Sequence, residues 1–163
     1  MSNEKDKKIA LLLEDLGALE GYVNDLFNFS PLPICFISPI GVVLEANPAF
    51  EKAFKIKIEN IIGESIEEFF EKGEGKKLTR DTLQKKSIEA REISFFPKKK
   101  KRVYVQVFSK IRKDEKGRVV GYFLSLFDIT KIKEAEEKLK EARDTLEIRV
   151  RAVSYTHLTL PTN

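Results

Sequence analysis

The 163-residue chain has one cysteine, one histidine and no tryptophan. A single thiol, Cys35, excludes an intramolecular disulfide and suits a reducing compartment. The lone His157 leaves no Ser-His-Asp or Cys-His set, and no His, Cys and carboxylate side chains recur at metal-ligand spacing. No glycine-rich loop has the spacing that cradles a phosphate. These absences argue against an enzyme. There is neither an N-terminal signal pattern nor an apolar run of about 18 residues, so no membrane span and a cytoplasmic location are expected. An excess of one charge sign is missing too: 30 basic residues face 26 acidic ones, for a net +4. Lys76-Lys77 and the run Lys98 to Lys101 read as solubilising positions beside a hairpin tip, and no nucleic-acid partner is expected.

What is present is a patterned chain with three kinds of segment. From Thr130 onward Ile132, Ala135, Leu139, Ala142 and Leu146 recur at alternating spacings of three and four, the seam of a two-helix supercoil. Ile9, Leu12, Leu16, Leu19, Val23 and Leu26 repeat that spacing near the start. Both segments are therefore expected to be amphipathic helices able to pair with a second copy, with Leu12, Leu16, Leu19, Val23, Ile132, Leu139 and Leu146 as the dimer seam. Residues 152–163 carry no Lys, Arg, Asp or Glu. The stretch Val153 to Asn163 resembles a translated sequencing-adapter peptide and is expected to be a non-native tail.

Between the arms, Phe27-Asn-Phe-Ser-Pro-Leu-Pro33 breaks the first helix. Ile34 to Ile37 and Val42 to Ala46 flank a turn in which Gly41 supplies a positive φ, the pattern of a β-hairpin. Asn47 is expected to cap a short helix with Pro48 at its first position and Phe50 and Phe54 facing the core. A second helical region, Ile58 to Phe70, is broken by Gly63 and carries Ser65 and Glu68 at capping-box spacing. Lys76 to Lys86 reads as a third helix with Leu78 and Leu83 inward. The period then changes to two over 91–96, 102–112 and 119–129, which predicts three strands. At the end of the last one, the short oxygen-bearing side chains of Asp128 and Thr130 are expected to cap the outgoing helix. The fold class is α+β: one five-stranded antiparallel sheet with short helices on one face, flanked by the two helical arms.

The order of Asn47-Pro-Ala-Phe50 after a Gly-turn hairpin, Ile62-Gly-Glu-Ser65, the hairpin from Lys113 to Gly121 and the terminal Asp128-Ile129-Thr130 resembles the PAS domain family over residues 24–131. The resemblance implies a sheet cupping a small apolar cavity, and a sensor and dimerisation module that passes changes through Asp128 and Thr130 into the outgoing helix. It also implies a missing output domain such as a histidine kinase or a diguanylate cyclase. The boundaries expected are an N-terminal helix over 1–28, the PAS domain over 29–130, a signalling helix over 131–152 and the foreign tail over 153–163.

The resemblance places a ligand pocket among Phe36, Phe50, Phe54, Phe69, Phe95, Val105 and Phe123, the alternative being a filled core without a small apolar ligand. A haem-binding relative would need an axial histidine on the third helical region, which has none. A flavin-adduct photosensor would need a reactive cysteine in an Asn-Cys-Arg context near Ile62 to Phe70, whereas Cys35 is on the first strand. Haem and flavin are thus not expected. Arg91, Arg102 and Lys110 are the cations that could enter a cavity, and the sequence leaves their facing open. The remaining alternative is a regulatory module that binds a protein or a nucleic acid without a small molecule.

Overall fold

The computed structural model describes residues 2–98 and 101–159. Helix α1 (Ser2–Phe29) leads into β1 (Ile34–Ile37), β2 (Val43–Ala46) and α2 (Pro48–Phe54), and two short 3-10 turns, Ile58–Asn60 and Ile66–Phe69, precede α3 (Glu74–Lys85). Three long strands follow, β3 (Ser87–Lys98), β4 (Lys101–Lys113) and β5 (Val119–Asp128), and then α4 (Thr130–Thr159). The five strands form one antiparallel sheet in the order β2-β1-β5-β4-β3. The expected α+β architecture is the one observed.

Local chemistry accounts for most of the turns. Gly41 lies at φ 88° in the β1–β2 connection, where Ser38 Oγ accepts the Val42 N–H at 3.0 Å. At Gly121, φ is 151° and a Cβ would sit 2.3 Å from the Ile37 carbonyl oxygen, so only glycine lets β5 approach β1 this closely. Asn47 caps α2 by accepting the Phe50 N–H at 3.2 Å, with Pro48 next to it as expected.

Several boundaries differ from the sequence reading. The Ile58 to Phe70 region is two isolated 3-10 turns, and the Ser65 side chain caps nothing; its carbonyl accepts the Glu68 N–H instead. Helix α3 begins at Glu74, two residues before the expected start at Lys76, and Leu83 is only half-buried whereas Leu78 is fully buried. Strand β3 begins four residues early because a bulge between Ile88 and Arg91, with Ala90 at φ 54°, restores pairing to β4. Helix α4 continues past the composition break, through Val153 to Thr159, so the expected foreign tail begins as a continuation of the helix. Residues 160–163 of that tail, Met1 of the first arm and Lys99-Lys100 of the basic run lie outside the described residues.

The core lies between one face of the sheet and the helices. Cys35, Ile37, Val105, Val107, Tyr122, Leu124 and Leu126 are completely buried on the inner face, and Phe50, Ile61, Ile66 and Leu78 close over them. Burial pushes the Cys35 thiol far up, which makes it a small apolar core residue. Two hydroxyls buried in this layer are paired: Thr82 Oγ1 donates to the Leu78 carbonyl at 2.7 Å and meets the Ser109 hydroxyl at 2.7 Å. Both arms lie outside the core, with residues 3–26 and 134–154 exposed.

Candidate functional site

Strand β5 becomes helix α4 at Asp128-Ile129-Thr130, and this junction is tied to β4 in both directions. Ile129 N–H donates to the Tyr104 carbonyl at 2.8 Å, and Tyr104 N–H donates to Thr130 Oγ1 at 3.1 Å. Asp128 Oδ1 accepts the Thr130 N–H at 3.0 Å, as expected of a cap. Thr130 does not cap. Its hydroxyl accepts from the sheet, because the turn aims it back at β4 rather than along the helix. Ile129 is buried as a plug between them.

A further tie comes from Glu92 on β3, whose carboxylate pairs with Lys133 one turn into α4. The Glu92 hydrogen bond and charge hold the Lys133 ammonium above its ordinary pKa. Tyr104, Glu92 and Lys133 escape a sequence reading because their partners lie far along the chain; only the β3–β4–β5 register brings each to its partner. A cavity of about 270 Å³ opens beside the junction, lined by Phe54, Pro97, Arg102, Val103, Asp128 and Thr130 among others. The first turn of α4 is thus held by a few polar ties beside open space rather than by tight packing.

Inside the domain the aromatic side chains cluster about Phe95. Its ring centroid lies 4.8 Å from Phe54, 5.4 Å from Phe70 and 6.1 Å from both Phe50 and Phe69. Val105, opposite Ile93 in the register, is buried on the same inner face. The rings fill the space between α2, the second 3-10 turn and the sheet. Metal chemistry finds no donor set here: among the described residues no three His, Cys, Asp or Glu side chains gather.

The pattern of the PAS domain family matches residues 31–131 of the chain. The chain belongs to the PAS domain family. Among curated protein sequences there is no match. Among solved structures the chain is similar to the PAS domain of a Colwellia psychrerythraea protein, at 17% identity and TM-score 0.61, covering 69% of this chain and 98% of that one. It is similar to the PAS domain of an HTR-like protein from Haloarcula marismortui, at 20% identity and TM-score 0.60, covering 74% and 99%. An RNA-binding light-oxygen-voltage receptor is also similar, at 16% identity and TM-score 0.67, covering 79% of this chain and 38% of that one.

Against this PAS fold the expected pocket residues divide. Phe50, Phe54, Phe69, Phe95 and Val105 are brought together. Phe36 and Phe123 are not: they pack against each other, centroids 5.0 Å apart, on the outer face of the sheet, and Phe123 is 41% exposed. Strand alternation is the reason. Cys35 and Ile37 on β1, and Tyr122, Leu124 and Leu126 on β5, take the inward positions. Both strands are apolar on both faces, so the sequence could not set the phase. On the outer face Phe36 and Phe123 instead line a groove of about 510 Å³ with Leu19, Val23 and Phe27 of α1.

The three cations resolve as well. Lys110 is exposed, and Arg102 donates from Nε and Nη2 to Ser94 Oγ while its guanidinium lies 4.8 Å from the Tyr104 ring centroid. Only Arg91 turns inward, and its Nη1 lies 2.9 Å from Asp81 Oδ2 of α3. Burial would raise the Asp81 pKa, but the Arg91 hydrogen bond and charge, with Lys85 and Arg80, hold it below the usual carboxylate range. Of the proposed dimer seam, Leu12, Leu16, Leu19, Val23, Ile132, Leu139 and Leu146 are all exposed in the single chain. No helix among the described residues is long and apolar enough to cross a membrane.

Proposed function

We propose that this PAS module is a non-catalytic sensor and dimerisation unit of a cytoplasmic signalling protein, which passes a change in its sheet through α4 to an output domain of the histidine kinase or diguanylate cyclase type. The observation that carries this reading is the clamp at the junction: both backbone groups of Tyr104 are engaged by Ile129 and Thr130, so a shift of β4 moves the first turn of α4. The heptad seam beyond it supports the rest, since two seams paired in a homodimer turn such a shift into a rotation or splay of the helix pair.

A second reading has one observation in its favour. The cluster around Phe95 is filled by its own side chains, which favours a module that answers to a protein partner rather than to a small apolar ligand. In either case the output is read through α4.

The phase of α4 provides the test. The full chain is fused to a diguanylate cyclase, and residues are inserted after Leu139. Four inserted residues should change basal output several-fold, whereas seven, about two turns, should restore it because the seam returns to register. Output indifferent to the length of the insertion would rule out a helical relay.

A further inference from the structure

The incoming arm is joined to the domain at one buried side chain. Asn47 has no exposed surface, and its carboxamide makes four hydrogen bonds. Oδ1 accepts the Ile34 N–H at 2.9 Å and the Phe50 N–H at 3.2 Å. Nδ2 donates to the Leu32 carbonyl at 2.8 Å and to the Phe27 carbonyl at 3.3 Å. The last of these is one of the carbonyls that α1 leaves unpaired at its C-terminal end. A single amide therefore ties the end of α1, the linker, the start of β1 and the start of α2.

One residue from that joint, the Pro33 carbonyl accepts the Leu126 N–H at 3.2 Å and the Ser125 hydroxyl at 3.1 Å. Strand β5 runs from Leu126 straight into Asp128 and the clamp on α4. The two arms are thus linked by a short series of hydrogen bonds, Phe27 to Asn47, Leu32 and Ile34 to Asn47, Pro33 to β5, and β5 to α4. This series does not pass through the aromatic cluster. We infer that the module takes a second input through α1, and that Asn47 is the positioning residue that transfers the state of the incoming helix to the outgoing one. That input acts on the helix itself rather than on a cavity.

The inference rests on the reading of α4 as the output helix, and its test is separate from that of the reading. Asn47→Asp keeps both acceptor bonds and the α2 cap but turns the donor nitrogen into an oxygen facing two carbonyls. In the full chain, amide exchange at Leu126, Ile129, Thr130 and Lys133 should rise about 3- to 10-fold, while Ile93 and Val105 in the β3–β4 ladder keep their protection. A rise confined to residues before Ile34 overturns the coupling even if insertions in α4 still phase the output. If Asn47→Asp loosens the whole chain, Ser125→Ala decides, because it removes only a contact to Pro33. Coupling is reciprocal, so this variant should raise exchange at Ser30 and Asn47, and silence there overturns the inference.

Discussion

Phe95 and Phe123 look alike in the sequence, each an aromatic residue within an apolar strand, and the fold treats them oppositely. Phe95 is completely buried and touches four other rings, whereas Phe123 lies on the outer face. Replacing Phe95 by Ala should cost about 3–5 kcal/mol, the range for truncating a buried aromatic ring. Phe123→Ala should cost about 1 kcal/mol or less. Urea denaturation of the two variants measures both, and comparable losses would mean that Phe123 belongs to the core after all. A second residue-scale expectation concerns acid. Asp81 is held below its ordinary pKa by Arg91, so the charged pair stabilises the folded state above about pH 4, the unfolded value, and that contribution is lost as pH falls through the lower folded value. Asp81→Asn should therefore flatten the fall in melting temperature as pH drops below about 4. Some slope should remain, since the backbone N–H groups of Arg118 and Lys116, with the Arg118 side chain, hold Asp114 low as well.

At the scale of the element, α4 begins where four weak ties converge: the Asp128 cap, the Ile129 N–H on the Tyr104 carbonyl, the Thr130 hydroxyl on the Tyr104 N–H and the Glu92–Lys133 pair. Loss of one cap costs typically ~1 kcal/mol against the ~5–15 kcal/mol of a small domain, so the core should survive losing two of them. Asp128→Ala combined with Thr130→Ala should keep a cooperative melt and speed amide exchange from Lys131 to Glu136, the first turns of the helix. An unchanged exchange pattern in those turns would remove the relay role from both residues. The Glu92–Lys133 pair is partly exposed and screened by salt, so raising ionic strength should loosen the same turns further in the double variant.

At the scale of the whole molecule, the arms are the unfinished part of the structure. Leu139 is 70% exposed and the other seam residues are similar, so the single chain leaves two apolar stripes without partners. Long helices without tertiary packing are marginal in water, which makes pairing of two copies the expected resting state. Sedimentation equilibrium of the full chain should show a dimer at micromolar concentration, and Leu139→Lys with Leu146→Lys should shift it toward monomer while leaving the melt of the core in place. A wild-type monomer at ~100 μM, well above the micromolar affinity scale, would exclude the seam as a dimer contact.

The sequence alone determined those features that rest on neighbours along the chain. Periodicities of 3.5 and 2 marked the arms and the three long strands, Gly41 and the two prolines before Ile34 marked the turns, and Asn47-Pro48 marked the start of α2. The short polar side chains of Asp128 and Thr130 after the last apolar strand marked the junction, and β5 ends at Asp128 and α4 starts at Thr130. Tertiary structure alone decided the rest, because it depends on register. Which face of β1 and β5 points inward could not be read from strands that are apolar on both sides, so Phe36 and Phe123 left the expected pocket. Tyr104 meets Ile129 and Thr130, and Glu92 meets Lys133, only once β3, β4 and β5 are paired. Asn47 reads as a cap, and only one of its four bonds, the one from the Phe50 N–H, is what a cap explains. Its grip on Phe27 and Leu32 exists because the break after α1 folds the chain back against α2, a long-range closure that no local pattern encodes.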